Sequence, residues 1–554
     1  MIGFASLITL GLIFGFVFVV VLLAAYFSGS VDITYVLGLT VLFNFIGWLV
    51  SPFFMDLMFR WFYSTKKMEL DELRAKSKRV ADFIVRVCQK YSIKVPSLRH
   101  IADDNPTAFC FGSGVFNARL CFSEGLFTYL NDEEIEAVIA HELGHIQRRD
   151  FIIMTIASTG VQILYELSQY LARKNSRSSG DNKGKNPAAI VGLVSYVLYF
   201  IGIYLLLFLS RTREYGADEF SAKETQNPDA LTRALVKIAY GIIAKPDDAT
   251  ANRLLNSTRA LGPYDNQAAR HLGTAYQGAQ NNWAAISKVI AYDLINPWAK
   301  ILQLQSTHPL TGRRIEKLNA FAKQLGKKVS IETDMIRNMS VDNNRLYKGF
   351  FVGVLIHFLP LVLPLFVLIY AGISQNILFF VWLPASLGLA LLIKMFYKYP
   401  QTQPKNATTL DMLSDLYASP VRGNLYALNG TVIGRGVAGS VFSEDMMLQD
   451  STGLVYLNYE SAFSFLGNFI FAISKVRKLI GKKVFATGWF FRDIGHHLDL
   501  NTMDGEGMKI KSHPRLWGVI FGIIFIVISL FAASQLNAFS LNPQPQKIDF
   551  TDGI

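Results

Sequence analysis

The sequence predicts an α-helical integral membrane protein that also carries a mainly α soluble domain, with a small edge-exposed sheet, and a small C-terminal β-barrel. Three observations predict this fold class. The 554 residues are 51% hydrophobic and only 17% charged, and their mean hydropathy is +0.29, whereas a soluble chain of this length exposes more charge. Long apolar stretches recur along the chain. Residues 400–513 instead alternate apolar and polar positions between Gly and Asp turns, which is typical of short strands.

Seven apolar stretches are long enough to cross a bilayer core of about 30 Å. Two of them, within 151–210, are joined by a basic linker, which is unusual for a loop on the outer side of a membrane. That pair is either a spanning hairpin or two helices that dip into the bilayer and return. Both alternatives bring residue 211 back to the side of residue 150. The stretches are 2–27, 33–54, 151–172, 188–210, 349–372, 376–397 and 515–534.

Basic residues are concentrated directly after the second apolar stretch. The link at 28–32 contains no Lys or Arg, whereas residues 60–79 contain Arg60, Lys66, Lys67, Arg74, Lys76, Lys78 and Arg79. Because basic segments remain on the cytoplasmic side, we expect the soluble domain to face the cytoplasm, in a multi-pass protein of the cell (plasma or inner) membrane. The net charge of +12 then lies beside anionic lipid, and no nucleic-acid partner is expected.

The soluble domain begins with predicted helical and strand segments. Residues 68–92 have the spacing of one amphipathic helix, and residues 97–102 and 108–123 have the composition of short strands around a Gly-rich turn. A helix is then predicted from Asn131 onward, because Asn is a favoured N-cap and the acidic residues 132–134 suit the positive end of a helix dipole.

Two histidines on that helix indicate a metal site. His141 and His145 are four residues apart and project from one helix face, which suits two nitrogens at about 2.0–2.1 Å from one zinc ion. Glu142 is rotated by about 100° from His141 and could take a proton from a water at the metal. Gly144, inside the helix, indicates that another element approaches closely, since Gly there costs about 1 kcal/mol relative to Ala.

A third ligand is available in the helix predicted around residues 211–220. Glu214 could complete a His-His-Glu site that leaves one position open for water, the catalytic type. Asp218, on the same face, could accept a hydrogen bond from the other ring nitrogen of a ligating histidine. The alternative is a solvated helix with ordinary charge neighbours, including Arg211 and Arg213. This solvated-helix alternative is less favoured once the two histidines are considered.

These motifs resemble those of HtpX-like membrane zinc metalloproteases, in the gluzincin group that includes the CAAX prenyl protease. The resemblance covers roughly residues 60–325. It rests on the His-Glu-Leu-Gly-His motif at 141–145, on Glu-Tyr-Gly-Ala-Asp at 214–218, and on Ser-Thr-His-Pro at 306–309 followed by Arg313 and Arg314. It implies an endopeptidase with one Zn²⁺ per chain, held by His141, His145 and Glu214, with Glu142 as the general base and Asp218 behind the ligands.

The resemblance implies two further features of the site. His308 would lie near the catalytic cleft, where it stabilises an oxyanion, donates a proton or is structural. Residues 105–111, with Asn105, Ala108 and Phe109, would form an edge strand on which an extended peptide pairs. A core hairpin is almost as well supported by these residues.

The C-terminal third of the chain suggests a second domain. Strands are predicted at 425–433, 446–448, 454–459, 483–491 and 497–500, with a helix rich in Phe and Ile inserted at 462–480. This order resembles an OB-fold. Glu444, Asp445, Asp450 and Asp493 lie beside these strands and make this region poorly basic, so we favour a membrane-associated accessory module over a nucleic-acid reader. The inserted helix could lie on the bilayer surface.

The predicted domains are two transmembrane helices (1–58), the zinc metalloprotease domain with its membrane hairpin at 151–210 (59–348), a transmembrane hairpin (349–398), the OB-like β domain (399–513), and a last transmembrane helix with its tail (514–554). The favoured hypothesis is a membrane-embedded zinc endopeptidase that cleaves membrane or misfolded proteins at the cytoplasmic face. The alternatives are a CAAX-type prenyl-peptide protease and a non-enzymatic membrane scaffold with a structural metal.

Overall fold

The computed structural model describes residues 20, 33–177, 187–244, 283–436, 442–493, 495–505 and 507–536. The chain divides into two compact units. The first contains residues 1–295 and 299–339, and the second contains residues 296–298 and 340–554. The predicted apolar stretch 2–27 and the tail after residue 536 lie outside the described residues, apart from Val20.

Helices form most of the first unit. Their bounds are α1 (Ile33–Tyr63), α2 (Leu70–Lys76), α3 (Lys78–Lys90), α4 (Glu124–Tyr129), α5 (Asp132–Gln147), α6 (Asp150–Arg177), α7 (Pro187–Thr225), α8 (Pro228–Ala244), α9 (Trp283–Ile295), α10 (Pro297–Leu304, whose first two residues belong to the second unit), α11 (Thr311–Gln324) and α12 (Thr333–Arg337). The amphipathic helix predicted over 68–92 is two helices. The chain is extended at Ser77 (φ −151°), and the Ser77 side chain caps α3 by accepting a hydrogen bond from the Val80 amide.

A four-stranded sheet completes the first unit. Its strands are β1 (Lys66–Lys67), β2 (Ser97–Ile101), β3 (Ala108–Phe111) and β4 (Arg119–Ser123), in the order β1-β2-β4-β3. β3 pairs antiparallel with β4, and β2 pairs parallel with β4. β3 is therefore a terminal strand of this sheet, and all four of its side chains are buried.

Helix α5 runs through the core of this unit. Asn131 and Glu134 form a capping box at its start, and every residue from Glu134 to Ile146 is buried. Burying Glu134 requires opposite charges, which Arg233 and Lys237 on α8 provide at 3.2 and 2.8 Å. The buried ion pairs fix α5 against α8, since a buried carboxylate without a partner would be strongly destabilising.

Six helical segments among the described residues are long and apolar enough to cross a membrane. They are Thr40–Trp61, Asp150–Gln169, Ile190–Thr225, Asn343–Ser374, Ile377–Lys398 and Leu516–Gln535. They correspond to the six predicted apolar stretches after the first, so the prediction of a multi-pass membrane protein is confirmed. Helix α7 has 39 residues, or about 58 Å at 1.5 Å per residue. It is therefore long enough to cross the bilayer and continue beyond it.

The second unit contains three apolar helices and a β-barrel. The remaining elements are α13 (Asn343–Ser374), a 3₁₀ turn (Ile377–Val381), α14 (Trp382–Lys398), β5 (Lys405–Asn406), α15 (Thr409–Leu413), β6 (Asn424–Arg435), β7 (Met446–Gln449), β8 (Leu454–Asn458), α16 (Ser464–Phe471), a π turn (Ala472–Val476), α17 (Arg477–Leu479), β9 (Lys483–Arg492), β10 (His496–Gly505), β11 (Met508–Lys511) and α18 (Leu516–Gln535).

Five of these strands close into a barrel. The ring runs β6-β7-β8-β10-β9 and returns to β6, because β9 pairs with both β10 and β6. All neighbours are antiparallel except β8 and β10, which are parallel. The helical segment 464–479 lies between β8 and β9 in sequence. The predicted small C-terminal barrel is confirmed.

Candidate metal centre

The two histidines of α5 lie side by side in the core. The rings of His141 and His145 are 4.9 Å apart between centroids and nearly perpendicular. His141 is fully buried, and His145 is 7% exposed. Because the helix is capped and packed on all sides, both imidazoles are held in place before any ligand binds.

Helix α7 crosses α5 at Gly144 and brings the third residue to the histidines. A Cβ atom at position 144 would lie 3.1 Å from the Cβ of Phe220 and 3.2 Å from the Cα of Ala217. Only glycine fits without displacing α7, so this residue permits the close approach of the two helices. In that arrangement Glu214 Oε2 lies 3.5 Å from His141 Nε2, and Glu214 Oε1 lies 3.4 Å from His145 Nε2.

These separations suit a tetrahedral cation site. Donor atoms at about 2.0–2.1 Å from one zinc ion are about 3.3–3.4 Å apart in tetrahedral geometry, and the observed separations are 3.4 and 3.5 Å. Neither His141 Nε2 nor Glu214 Oε2 has a hydrogen-bond partner among the described residues, although both atoms are buried. Buried polar atoms without partners are costly, so a cation that accepts their lone pairs fits this cluster. His141, His145 and Glu214 therefore form a group able to bind a metal ion.

Each histidine has a carboxylate behind it. His141 Nδ1 lies 2.9 Å from Asp218 Oδ1, as the spacing of Asp218 from Glu214 suggests. His145 Nδ1 lies 2.7 Å from Asp150 Oδ2. Such carboxylates fix the tautomer and orientation of a ligating imidazole. Burial lowers the pKa of His141, but the carboxylates of Asp218 and Glu214 outweigh this effect and raise the pKa to about 9.

Sequence reasoning missed Asp150 and gave no role to Arg314. Arg314 donates hydrogen bonds to both carboxylate oxygens of Asp218, at 2.9 and 2.6 Å, and both side chains are 1% exposed. The arginine thus compensates the charge of the carboxylate that faces His141. The Arg313-Arg314 pair in the sequence was a signal that could have indicated this partner.

Glu142 lies beside the two histidines in an apolar setting. Its side chain is 1% exposed, and neither carboxylate oxygen has a hydrogen-bond partner among the described residues. Burial raises the pKa of Glu142, against the opposing effect of His141 and His145. A carboxylate without competing partners is free to receive a proton.

His308 belongs to the same cluster. Its Nδ1 atom lies 3.0 Å from Glu214 Oε2, and its side chain is buried. The segment that carries it is fixed by Arg211, which donates to the Ser306 carbonyl at 2.8 Å, and by the Ser306 hydroxyl, which donates to the His308 carbonyl.

Strand β3 lies against α5 at the His-Glu-Leu-Gly-His motif of residues 141–145. The Cys110 thiol donates to the Glu142 carbonyl at 3.4 Å. Ala108 and Phe109 are paired with Phe122 and Cys121 of β4. Asn105 precedes the strand and is buried, and its carbonyl accepts from the Ser123 hydroxyl at 2.6 Å. The three residues predicted for peptide binding thus lie on a segment that contacts α5 at Glu142.

This chain is similar to several known proteins. The model of a family described as peptidase family M48 matches residues 71–322. A protease HtpX homolog of Thermococcus sibiricus is 29% identical over 317 residues, which cover 55% of this chain and 95% of that protein. One of Methanothermobacter thermautotrophicus is 31% identical over 194 residues, covering 35% of this chain and 69% of that protein. The crystal structure of S. mikatae Ste24p aligns at 17% identity and a TM-score of 0.34, covering 55% of this chain and 62% of that one.

Proposed function

This chain belongs to peptidase family M48 and is a membrane metalloprotease, and from that premise we propose that it is a zinc endopeptidase acting on membrane or misfolded proteins at the cytoplasmic face. The observation that carries the proposal is the convergence of His141, His145 and Glu214, with donor atoms at the separations a tetrahedral ion requires. A zinc ion held there would polarise the scissile carbonyl and acidify the attacking water.

Glu142 is the proposed general base. Its unpartnered oxygens accept a proton from the attacking water, and the same carboxyl then delivers that proton to the leaving amine. The raised pKa caused by burial favours a carboxyl that holds the proton between these two events. Asp150, hydrogen-bonded to His145 Nδ1, and Asp218, 2.9 Å from His141 Nδ1, orient the two imidazoles.

His308 is proposed to face the reacting carbonyl through Nε2. Its Nδ1 lies 3.0 Å from Glu214 Oε2, and both ring nitrogens are buried without a hydrogen-bond partner among the described residues. A donor at Nε2 would stabilise the developing oxyanion. A purely structural His308 would act only by orienting Glu214. Loss of turnover without loss of zinc in His308→Ala supports the first role, and loss of zinc supports the second.

An extended substrate is proposed to pair with the side of β3 that has no strand partner among the described residues. This strand ends the sheet and has β4 as its partner on one side, and it lies against α5 at Glu142. Backbone pairing binds peptides with little regard to sequence, which suits an enzyme that degrades varied membrane or misfolded proteins.

The position of Glu214 on α7 supports a substrate at the membrane surface. The apolar part of this helix ends at Ser210, and Glu214 lies three residues beyond the first charged residue, Arg211, or about 5 Å along the axis. Basic residues after α1 support a cytoplasmic orientation. The barrel is proposed to be an OB-fold, since it has five strands with a helix between the third and fourth.

Hydrolysis by wild type and by Glu142→Gln tests the proposal. We expect the variant to lose at least about 100-fold in rate, since it has no base, in detergent with casein or a purified membrane protein as substrate. Glu133→Gln is the matched control, because Glu133 is half-exposed on the same helix. Cleavage by Glu142→Gln at the wild-type rate would refute the proposed base. Cleavage restricted to a farnesylated peptide would favour the CAAX-type alternative, and chelator-insensitive activity would refute the metal mechanism.

A further inference from the structure

Among the described residues of the second unit, the helical segment between β8 and β9 has one face that is left largely uncovered, apart from the stacking of Phe469 on Phe442 with ring centroids 5.6 Å apart. Its inner side chains pack on the barrel, whereas its outer side chains are large, apolar and exposed. Phe465 is 80% exposed, Leu466 64% and Ile470 54%. The outer set, which we name the apolar face, contains Phe463, Phe465, Leu466, Phe469, Ile470 and Ile473.

The inner side of the segment is fixed to the barrel. Phe471 stacks on Tyr459 with ring centroids 3.7 Å apart. In the π turn, the Ala472 carbonyl accepts a hydrogen bond from Arg435 Nη2 of β6 at 2.9 Å. Val476 and Leu479 are buried. Because these contacts hold the segment in place, the apolar face is a permanent surface of the folded domain.

The segment begins next to the place where the chain enters a membrane helix. The His513 amide donates to the Glu460 carbonyl at 2.7 Å, and the Glu460 amide donates to the Ser512 hydroxyl at 3.0 Å. Helix α18 begins only three residues after His513, at Leu516. The residues just before the apolar face are therefore hydrogen-bonded to His513, which lies within about 10 Å, measured along the chain, of the start of a membrane span.

Basic side chains follow the apolar ones. Lys475, Arg477 and Lys478 are exposed near the end of the segment. An apolar face with adjoining Lys and Arg is the pattern of helices that lie in the interface of anionic membranes, with the apolar side about 5–10 Å below the head groups. At 16 residues, from 464 to 479, the segment is about 24 Å long, too short to span a bilayer core of about 30 Å.

We propose that the apolar face docks the barrel onto an anionic lipid surface, beside the entry of α18. A second copy of the chain fits this surface less well. A two-fold contact through the same patch would place no acidic residue of the segment opposite the basic groups, since residues 461–480 contain no Asp or Glu. The lipid surface supplies both the apolar depth and the negative charge that the segment lacks.

Spin labels on the full-length protein in nanodiscs test the proposal. Leu466→Cys places a label in the apolar face, and Lys509→Cys is the control, since the Lys509 side chain is 88% exposed on β11. The native thiols of Cys88, Cys110 and Cys121 are buried, and burial raises the pKa of each, so they react slowly with the label. The measurement is accessibility to oxygen, which enters lipid, and to a water-soluble nickel chelate.

In nanodiscs of phosphatidylcholine with phosphatidylglycerol, we expect the label at 466 to be accessible to oxygen and shielded from nickel, with the reverse at 509. Replacing Lys475, Arg477 and Lys478 by Gln should lower the docked-to-undocked ratio on the order of 100-fold, since each surface charge contributes about fivefold. Equal nickel accessibility at 466 and 509 would overturn the proposal. Shielding that appears in detergent only as protein concentration rises would also overturn it, in favour of a second copy.

Discussion

The buried pair of Arg314 and Asp218 provides a quantitative test of the support behind His141. In Arg314→Met the volume of the side chain is largely kept, but the Asp218 carboxylate loses two charge-assisted hydrogen bonds of 2.9 and 2.6 Å. Both side chains are 1% exposed, so water does not replace the lost partner. Breaking such a pair on one side costs about 3–5 kcal/mol, a large fraction of the about 5–15 kcal/mol that stabilises a typical protein.

The effect should be visible in thermal unfolding of the purified protein in detergent. A loss of about 3–5 kcal/mol corresponds to a fall in Tm on the order of 10 °C for a domain of this size. The matched control is Arg74→Met. Arg74 also faces two carboxylates, those of Asp71 and Asp82, but all three side chains are at least 43% exposed, so the expected change is below about 1 kcal/mol.

A double variant isolates the interaction between the two charges. Asp218→Asn combined with Arg314→Met should be less destabilising than the sum of the single variants, because the double variant leaves no buried unpaired charge. Additive effects, or an Arg314→Met shift no larger than that of Arg74→Met, would refute the reasoning.

Three other perturbations have expected outcomes of their own. Asp150→Asn should weaken zinc binding by about 10–100-fold, because the amide is a poorer acceptor for the ligating imidazole; competition with a fluorescent chelator measures the affinity. Gly144→Ala should lower the Tm, since the added methyl lies 3.1 Å from a side-chain carbon of α7, whereas Gly349→Ala, with nothing within 4 Å, should not. Burial raises the pKa of Asp445 to about 6, from about 3.9 in the unfolded chain. The contribution of Asp445 to the free energy of unfolding is therefore highest below pH 4, and it falls by up to about 3 kcal/mol as the pH rises through 6. Asp445→Asn should remove that dependence in unfolding measured across this range.

The metal-site helix could be predicted because its determinants are local. The cap at Asn131, the acidic first turn and the four-residue spacing of His141 and His145 all lie within one helix. The four-residue spacing of Glu214 and Asp218 likewise predicted that both lie on one helix face. The meeting of α5 and α7 is a tertiary contact, and the sequence indicated it only through Gly144.

The supporting residues could not be predicted because they depend on turns and on distant contacts. Asp150 follows His145 by five residues, which on a continuing helix would place it on another face. Arg149 instead adopts a left-handed conformation with φ of +56°, and this turn starts α6 with Asp150 facing back toward His145. Arg314 is 96 residues from Asp218, and no periodicity connects them. The break at Ser77 was missed for a similar reason, since the apolar spacing continues across it.

The barrel could be predicted from its strands, but the strand pairings that close it could not. Alternation within β6, β9 and β10 indicated each strand separately. Closure depends on β9 pairing with both β6 and β10, and on the parallel contact of β8 with β10. These pairings are set by the packing of side chains far apart in sequence.

The zinc content of purified variants tests the central claim most directly. Elemental analysis should find one zinc ion per chain in the wild type and in Glu142→Gln, because that glutamate is proposed to handle protons and not to bind the ion. It should find none in Glu214→Gln, which keeps the size of the side chain but removes the charged ligand. Full zinc occupancy in Glu214→Gln, or loss of zinc in Glu142→Gln, would contradict the assignment of ligands and base.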